Sequence, residues 1–281
     1  MTFKNGLPFN GKLPDELDNL KKRINENKAS LIIVDGEIGM GKTTLAVEVA
    51  DYHQVNEINL KTQLGMGGED FMRKLRDALD DKKLNVIVYD EAGDYAKRGF
   101  QSKLNKMLNR IFDTFRTFKI LIILVLPMFV KLDKELFDKG IPRLLIHIKE
   151  RNDKWGKFGI YGAYRMSWLS YHMGNPKLIN KKIAYNYVRP NSWGYFHNLS
   201  LKRARQLDKI STESKIGIFD DQMVIVDGLI LTKDIARELG ISISYCRNLI
   251  KRFECKPKRI VKNKKYYDKK VLNKLRHRKE T

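Results

Sequence analysis

A glycine-rich segment constrains the fold of this chain more than any other feature. Residues Gly36 to Thr43 read GEIGMGKT and fit the pattern G-x-x-x-x-G-K-[ST] at every fixed position. The apolar run Leu31 to Val34 precedes the segment, and Thr43 to Tyr52 has the apolar spacing of a helix. The order strand, glycine loop, helix predicts a loop that holds phosphate groups, rather than an ordinary glycine-rich turn before Lys and Thr.

Each part of this segment has an expected role in binding ATP. Glycines let the backbone curl so that its N–H groups face phosphate oxygens, and the helix N-terminus adds partial positive charge. Lys42 is expected to contact the β- and γ-phosphates, and the Thr43 hydroxyl is expected to bind Mg²⁺. The predicted nucleotide-binding residues are Gly36, Glu37, Ile38, Gly39, Met40, Gly41, Lys42, Thr43 and Thr44.

A second motif, which is acidic, supports the prediction of a phosphate-binding loop. The strand-like run Asn85 to Tyr89 ends in Asp90 and Glu91. In nucleoside triphosphatases an Asp at this place holds Mg²⁺ through water, and the next carboxylate can activate the attacking water. An acidic turn that only caps a strand is the alternative. Together with the glycine loop, the pair predicts Asp90 as a metal residue and Glu91 as the catalytic base.

The charge of the chain indicates a polyanionic partner. The 281 residues have a formal net charge of +22, and residues 223–281 contribute 17 Lys and Arg against 6 Asp and Glu. Such an asymmetry favours nucleic acid, most plausibly DNA. An anionic membrane surface is a rival, and lysine-rich composition can also serve solubility. No basic amphipathic helix with an aromatic face supports the membrane.

The remaining composition predicts a cytoplasmic protein. The two cysteines, Cys246 and Cys255, show neither metal-ligand spacing nor a disulfide framework. The N-terminus lacks a signal-peptide pattern. The longest apolar run, Ile120 to Val130, contains Pro127 and is too short to span a bilayer.

The order of predicted elements indicates an α/β fold: a P-loop NTPase with a mostly parallel sheet flanked by helices, plus a small C-terminal winged-helix domain. Predicted helices cover 15–26, 42–52, 69–79 and 104–117, and predicted strands cover 30–35, 55–60, 85–89, 119–126 and 144–148. A glycine loop is predicted at 65–68. The domains expected are an N-terminal segment (1–28), the ATPase domain (29–174), a connector (175–222) and a DNA-binding domain (223–281).

Aromatic residues mark the end of the predicted ATPase domain. Residues 158–173 alternate aromatic and polar side chains, which predicts antiparallel edge strands. Aromatics near Lys154, Lys157 and Arg165 could stack on bases, but packing within the sheet is the simpler interpretation. Residues 193–196, WGYF, suggest a segment docked on the domain.

The C-terminal region has the pattern of a helix-turn-helix. Thr232 is expected to cap a helix that turns Ile235 and Leu239 inward, and Gly240 permits a left-handed turn. A second helix is expected to start at Ser242 or Ser244, followed by a β-wing over residues 259–267. The residues expected to meet DNA are Ser244, Tyr245, Arg247, Asn248, Lys251, Lys262, Lys264 and Lys265. A winged helix can also serve as a protein adaptor, and that alternative stays open.

The core is similar to the FtsK/HerA superfamily of ring-forming, DNA-pumping ATPases, especially small viral, plasmid and Zot-like members. The resemblance covers about residues 30–170. It depends on Gly36–Thr43, on Asp90-Glu91-Ala92-Gly93, on the helix ending Phe115-Arg116-Thr117-Phe118, on the strand 120–126 and on Leu132–Leu136.

The resemblance implies a homo-oligomeric ring, expected to be a hexamer, that threads DNA using ATP. Such rings insert an arginine into the neighbouring active site, and Arg116 and Arg110 are the candidates. Both could instead be solvated helix positions. Leu126-Pro127 depart from the pattern, because many relatives end this strand in a polar residue that senses the γ-phosphate.

Three functions remain open at this point. The first is a DNA-translocating ATPase of a virus, plasmid or mobile element, in which the C-terminal domain recruits the substrate. The second is a nucleotide-gated DNA-binding protein for partition, replication or transcription control, without pumping. The third is a helicase loader or another AAA-type assembly factor.

Overall fold

The computed structural model of this protein describes residues 7–28, 30–81, 84–90, 119–127, 141–152, 158–173, 188–226, 229–261 and 264–277. The chain divides into two compact units, residues 1–208 and 209–281. The first unit contains the glycine-rich segment, and the second contains most of the basic C-terminal region. Among the described helices, none combines the length and apolar character that crossing a bilayer requires.

A seven-stranded sheet forms the centre of the first unit. Its strands are β1 (Ser30–Gly36), β2 (Leu64–Met66), β3 (Val86–Asp90), β4 (Leu121–Leu126), β5 (Pro142–Asn152), β6 (Phe158–Arg165) and β7 (Ser192–Phe196). Their spatial order is β2-β3-β4-β1-β5-β6-β7. The first five are mutually parallel, whereas β6 and β7 are antiparallel to their neighbours. The predicted α/β fold with a mostly parallel sheet is therefore confirmed.

The inner strands are apolar because both of their faces are covered. Every residue of β1, β3 and β4 is buried, as expected for parallel strands between helical layers. The helices of this unit are α1 (Leu13–Asn25), α2 (Lys42–Gln54), α3 (Leu60–Gln63), α4 (Gly68–Asp80) and α5 (Met166–Met173), and α6 (Leu201–Val226) begins in it. Phe71 of α4 stacks on Tyr89 of β3 with ring centroids 4.5 Å apart, which packs α4 onto the sheet.

The segment between α2 and α4 differs from the prediction. The strand predicted at 55–60 is wrong, because Val55 adopts a left-handed φ of 71° and Asn59 then caps helix α3 through the Lys61 amide. The loop predicted at 65–68 is also wrong, since Gly65 and Met66 belong to strand β2. This short strand pairs with β3 at the edge of the sheet.

The predicted antiparallel strands over 158–173 are confirmed only as far as Arg165. Beyond it, Met166 and Leu169 bury the same face of helix α5, a spacing that suits a helix and not a strand. Tyr161 and Tyr164 are fully buried, so they pack in the sheet and are not available to bases. The docked segment predicted at 193–196 is strand β7, which pairs with β6. The helix predicted at 104–117 lies outside the described residues.

The second unit contains a three-stranded antiparallel sheet and short helices. Its elements after α6 are β8 (Leu229–Leu231), α7 (Thr232–Glu238), α8 (Ile243–Arg252), β9 (Arg259–Val261), β10 (Lys264–Asp268) and α9 (Lys269–His277), and its sheet has the order β8-β10-β9. The buried core includes Ile235 and Ala236 of α7, Leu239 directly after it, and Leu249 and Ile250 of α8. Ile235 and Leu239 lie inward, as predicted.

The ends of these helices follow local hydrogen bonds. The predicted Thr232 cap is wrong, because strand β8 runs directly into α7, Leu231 is the N-cap residue and no side chain caps it. Ser242 caps α8 by accepting a hydrogen bond from the Tyr245 amide at 3.1 Å. Gly240 has a φ of 63°, and Asp268 accepts from the Lys270 amide at 2.9 Å. The Ser242 cap and the left-handed Gly240 agree with the prediction.

Candidate functional site

The glycine-rich loop lies at the carboxyl edge of the parallel strands. Strand β1 ends at Gly36 and helix α2 begins at Lys42, so only five residues form the turn between them. Strands β4 and β5 pair in parallel with β1 on either side, and β3 pairs with β4. The end of β3 therefore opens at the same edge as the loop, which is where open α/β sheets bind ligands.

Gly41 sets the direction in which helix α2 leaves the loop. It is the N-cap residue, with a φ of 85° and a ψ of 27°, a left-handed conformation that residues with a side chain rarely adopt. No side chain caps this helix. Its first backbone N–H groups are therefore left for an anion, as expected of a phosphate-binding helix N-terminus.

Lys42 is held across the loop that precedes it. Its Nζ donates to the carbonyl oxygens of Gly36 at 2.9 Å and of Glu37 at 2.6 Å. Burial lowers the pKa of Lys42, and the charges of Asp90, Asp35 and Glu37 oppose that shift. The ammonium group is thus positioned over the loop, where phosphate oxygens can replace the carbonyls as its acceptors.

Thr43 and Asp90 bring the two sequence motifs together. The Thr43 hydroxyl donates to Asp90 Oδ2 at 2.7 Å, although 47 positions separate the two residues. Asp90 is the last residue of β3 and is buried. A hydroxyl and a carboxylate in contact beside a phosphate loop form the oxygen donor set that Mg²⁺ prefers. The prediction that these two residues form a metal site agrees with this geometry.

These residues fit ATP with Mg²⁺. The loop supplies backbone N–H groups, Lys42 supplies a positive charge and the Thr43–Asp90 pair supplies hard oxygen ligands. When bound, Mg²⁺ neutralises charge on the phosphate chain. A Cβ at Gly39 would meet no atom within 4 Å, so the loop has open space at that position. The described residues of the loop thus supply the N–H donors, the positive charge and the oxygen ligands that ATP with Mg²⁺ requires.

The structure adds a buried histidine–carboxylate contact that the sequence did not reveal. His147 Nδ1 of β5 lies 2.9 Å from Asp35 Oδ1, and Asp35 is fully buried at the base of the loop. The two residues are direct partners in the β1–β5 register. The sequence signals were an acid immediately before Gly36 and a histidine in an apolar strand, which only the strand pairing connects.

Phe196 is a second residue that the sequence did not assign to the site. Its ring passes over Gly159 of β6, where a Cβ would overlap it, and reaches 3.5 Å from the position that a Cβ on Gly41 would take. Gly159 is Phe196's partner in the β6–β7 register. Because Gly159 has no side chain, Phe196 of β7 can lie over it and pack against the phosphate loop at Gly41.

Three predicted catalytic residues lie outside the described residues. They are Glu91, Arg110 and Arg116. The strand that should carry a γ-phosphate sensor does end in an apolar residue, since β4 stops at Leu126, which is buried.

The second unit presents a basic groove beside α8. Ser244, Tyr245, Arg247, Asn248 and Lys251 are all exposed, as predicted, and so is Lys265 of β10. Lys262 lies outside the described residues, and the side chain of Lys264 is not described. The groove has a volume of about 1140 Å³, and its lining includes Lys233, Arg247, Lys251, Lys256 and Lys265.

A family match covers the glycine loop and the strands around it. Residues 32–145 match the family "ATPase family associated with various cellular activities (AAA)". Among solved structures, the chain is similar to PCH-2 of C. elegans, with 17% identity and a TM-score of 0.35 over 50% of this chain and 42% of that chain. It is also similar to the flagellar accessory protein FlaH of Methanocaldococcus jannaschii, with 15% identity and a TM-score of 0.29 over 53% of this chain and 84% of that chain.

A search among curated proteins found no match to this chain. The chain spans 42% of the PCH-2 chain to which it is similar. The more specific resemblance to the FtsK/HerA superfamily stays a prediction, because the matching family is AAA. Together, the family match over 32–145 and the contact between Thr43 and Asp90 identify this part of the chain as a P-loop ATPase domain of the AAA type, with a site for ATP and Mg²⁺.

Proposed function

We propose that this protein is an ATP-hydrolysing motor that translocates duplex DNA, and that its second unit is a winged helix-turn-helix that binds the substrate. The observation that carries the proposal is the basic groove along α8, on the same chain as a complete phosphate loop. A basic surface on the same chain as an ATPase domain favours work on nucleic acid over work on protein.

The contacts of α8 suit insertion into a major groove. Its buried side consists of Cys246, Leu249 and Ile250, and its opposite side exposes Arg247 and Lys251. Exposed polar side chains on the second helix of such a motif read base edges, while lysines and arginines contact phosphates. Lys265 on β10 extends the same positive surface toward the predicted wing.

Translocation needs a ring, and the ring is part of the proposal. The resemblance of the core implies a homo-hexamer with Arg110 or Arg116 reaching the neighbouring subunit. AAA ATPases commonly form rings, and the family match supports such an assembly. The biological setting that we propose is DNA packaging or transfer by a virus, plasmid or mobile element.

The family match favours a second candidate function. An AAA-type assembly factor, such as a helicase loader, would use ATP to remodel a complex on DNA without moving along it. A nucleotide-gated DNA-binding protein would show the same basic groove. Neither requires processive movement, so movement along DNA separates both from the motor.

The test combines ATP turnover with a direct assay of movement. ATP hydrolysis is measured with and without duplex DNA while light scattering follows the oligomer, and a triplex-forming oligonucleotide on the duplex reports its own displacement. The motor predicts DNA-stimulated hydrolysis, a ring-sized species and ATP-dependent displacement. DNA binding without displacement would instead support the assembly factor or the gated regulator.

Variants of the groove connect this activity to α8. Replacing Arg247 and Lys251 by Gln should weaken DNA binding and reduce the slope of log K against log salt by about 2, because about one unit is lost per phosphate contact. Basal hydrolysis should not change. A matched control replaces the exposed Lys269 and Lys270 of α9. Equal losses in both pairs would show a diffuse charge effect and contradict a binding surface on α8.

A further inference from the structure

A second basic cavity lies in the first unit, away from the phosphate loop. It has a volume of about 330 Å³ and is formed by α1, the start of β5, the end of β6 and the start of α5. Three arginines line it: Arg23, Arg143 and Arg165. Glu16 is the acidic residue of the lining, and Asn19 and Ser167 add polar groups.

The sheet topology separates this cavity from the nucleotide site. Arg143 is the second residue of β5, next to Pro142, which pairs with Leu31 near the start of β1. The phosphate loop follows the other end of β1, after Gly36. Because strands rise about 3.3 Å per residue, the two sites lie about 15 Å apart, at opposite ends of the parallel strands.

One of the three arginines is already neutralised. Arg165 donates from Nε to both carboxylate oxygens of Glu16 at 2.9 and 3.0 Å, and its second nitrogen lies 2.8 Å from Oε1. This pair fixes the guanidinium of Arg165 at the rim of the cavity. Because Glu16 is engaged in this ion pair, it does not offset the positive charges of the other two arginines.

No described acid lies within ion-pair distance of Arg23 or Arg143, although the charge of Arg23 acts on Glu26. The Nε atom of each is buried without a hydrogen-bond partner. Burial, and then the charge of Arg23, lower the pKa of Arg143, although an arginine stays protonated in proteins. Two neighbouring guanidinium groups of the same charge, each with a buried and unsatisfied Nε donor, are energetically unfavourable unless an anion binds to both.

We infer that this cavity binds a phosphate group between Arg23 and Arg143. The guanidinium fork matches phosphate oxygens in a bidentate geometry, and one dianion would satisfy both orphaned Nε donors. The cavity accommodates a phosphate group with part of the molecule that carries it. That group can come from a small phosphorylated compound or from the backbone of a nucleic acid, and the chemistry of recognition is the same.

Calorimetric titration with pyrophosphate tests the site. The full chain is first saturated with ADP and Mg²⁺, so that the phosphate loop is occupied, and ionic strength is kept constant with NaCl. Arg143→Gln and Arg23→Gln should each weaken the binding of pyrophosphate by about 10-fold or more, since each removes one charge-assisted contact. Lys22→Gln, an exposed neighbour on α1 with the same loss of charge, should leave it unchanged.

Unfolding measurements distinguish a binding site from a purely structural role. In NaCl, Arg143→Gln should be at least as stable as the parent, because a like-charge contact is relieved. In phosphate, the parent should gain stability and the variant should not. Absence of pyrophosphate binding by the parent, or equal binding by all variants, would overturn the inference.

A second titration identifies the source of the phosphate group. An eight-nucleotide oligodeoxythymidine replaces pyrophosphate under the same conditions. Arg143-dependent binding of this probe assigns the cavity to nucleic acid, and its absence assigns the cavity to small phosphorylated compounds. Basal ATP hydrolysis should be the same in Arg143→Gln and in the parent, so this test stands independently of the proposed motor.

Discussion

At the scale of single residues, Thr43 connects the loop to the acidic end of β3. Its hydroxyl has a methyl group beside it, and only the hydroxyl contacts Asp90. Thr43→Ala should lower the apparent affinity for Mg²⁺ in ATP hydrolysis by at least about 10-fold, since lost metal-site contacts typically cost 10- to 100-fold. The measurement is ATP turnover as a function of Mg²⁺ concentration.

Thr43→Ser is the matched control for this change. It keeps the hydroxyl and should retain near-parental Mg²⁺ dependence. Equal losses in Ser and Ala variants would show that the methyl group, and not the hydroxyl, is what the site requires.

Glu48 illustrates how a buried acid makes stability depend on pH. It lies on α2, one Oε atom has no hydrogen-bond partner, and burial followed by the charge of Asp51 raises its pKa to about 9. The folded state thus keeps a proton that the unfolded state releases near the ordinary glutamate pKa of 4.5. The contribution of Glu48 to stability is largest at low pH and is lost as pH rises from about 4.5 to about 9.

Glu48→Gln removes this titrating carboxyl and should therefore stabilise the first unit relative to the parent at pH 8 by at least about 1 kcal/mol, since each unit of pKa difference corresponds to about 1.4 kcal/mol. It should also flatten the fall of stability between pH 6 and 9. All three tryptophans lie within residues 1–208, so tryptophan fluorescence during urea unfolding follows this unit. Parallel pH profiles for the parent and the variant would contradict the raised pKa.

The sequence identified those site residues whose roles depend on local order. Lys42 and Thr43 follow directly from the spacing of the glycines, and Asp90 follows from its place after an apolar run. His147 could not be paired with Asp35, because 112 positions separate them and only the β1–β5 register brings them together. Phe196 was missed for a similar reason. Its contact with the phosphate loop depends on its strand partner Gly159, which has no side chain.

At the scale of elements, Arg203 joins the end of α2 to the start of α6. Its guanidinium donates to both oxygens of Asp51 at 2.7 and 2.9 Å, to Glu57 at 3.1 Å and to the carbonyl of Ile58 at 3.2 Å. Arg203 is buried, and burial raises the pKa of Asp51 to about 6 while the arginine opposes the shift. In this cluster, the single positive charge of Arg203 therefore partly neutralises the carboxylates of Asp51 and Glu57.

Removing Arg203 should leave the partly buried Asp51 without its cation, whereas the carboxylate of Glu57 is exposed. Arg203→Gln is expected to destabilise the first unit by about 3 to 5 kcal/mol, the usual result of removing one partner of a buried ion pair. Urea unfolding at pH 7, followed by tryptophan fluorescence, measures the change. Arg205→Gln, an exposed neighbour on α6, should stay within about 0.5 kcal/mol of the parent. A small effect at Arg203 would mean that Asp51 becomes protonated without loss of packing.

Elements were predictable where both their faces are buried or where one face is strongly apolar. Strands β1, β3 and β4 are continuous apolar runs, and α4 repeats Phe71, Leu75 and Ala78 at helical spacing. The region from Val55 to Gly68 was not predictable, because Asn59 and Asp51 decide its path through side-chain hydrogen bonds to the backbone. Apolar spacing carries no information about such contacts.

At the scale of the whole molecule, charge is divided unevenly between the two units. The glycine loop and its acidic partner lie in the first, and the exposed lysines and arginines of α8 lie in the second. In the motor that we propose, ATP binding or hydrolysis in the first unit would act on DNA by changing how subunits assemble. Assembly could not be deduced from one sequence, since the groups that face a neighbouring copy leave no local pattern.

Glu91→Gln tests this link between hydrolysis and assembly. Glu91 directly follows Asp90, the last residue of β3. As a general base it should accelerate attack of water by about 10² to 10⁴-fold, so the variant should bind ATP with Mg²⁺ but lose about that factor in turnover. Because the ATP-bound state then persists, the proposed ring should accumulate, as read by light scattering together with the nucleotide retained per subunit.

Lys42→Ala is the control, since it should lose nucleotide and ring together. Unchanged turnover in Glu91→Gln would place the catalytic base elsewhere, and slow turnover without assembly would separate ATP hydrolysis from ring formation.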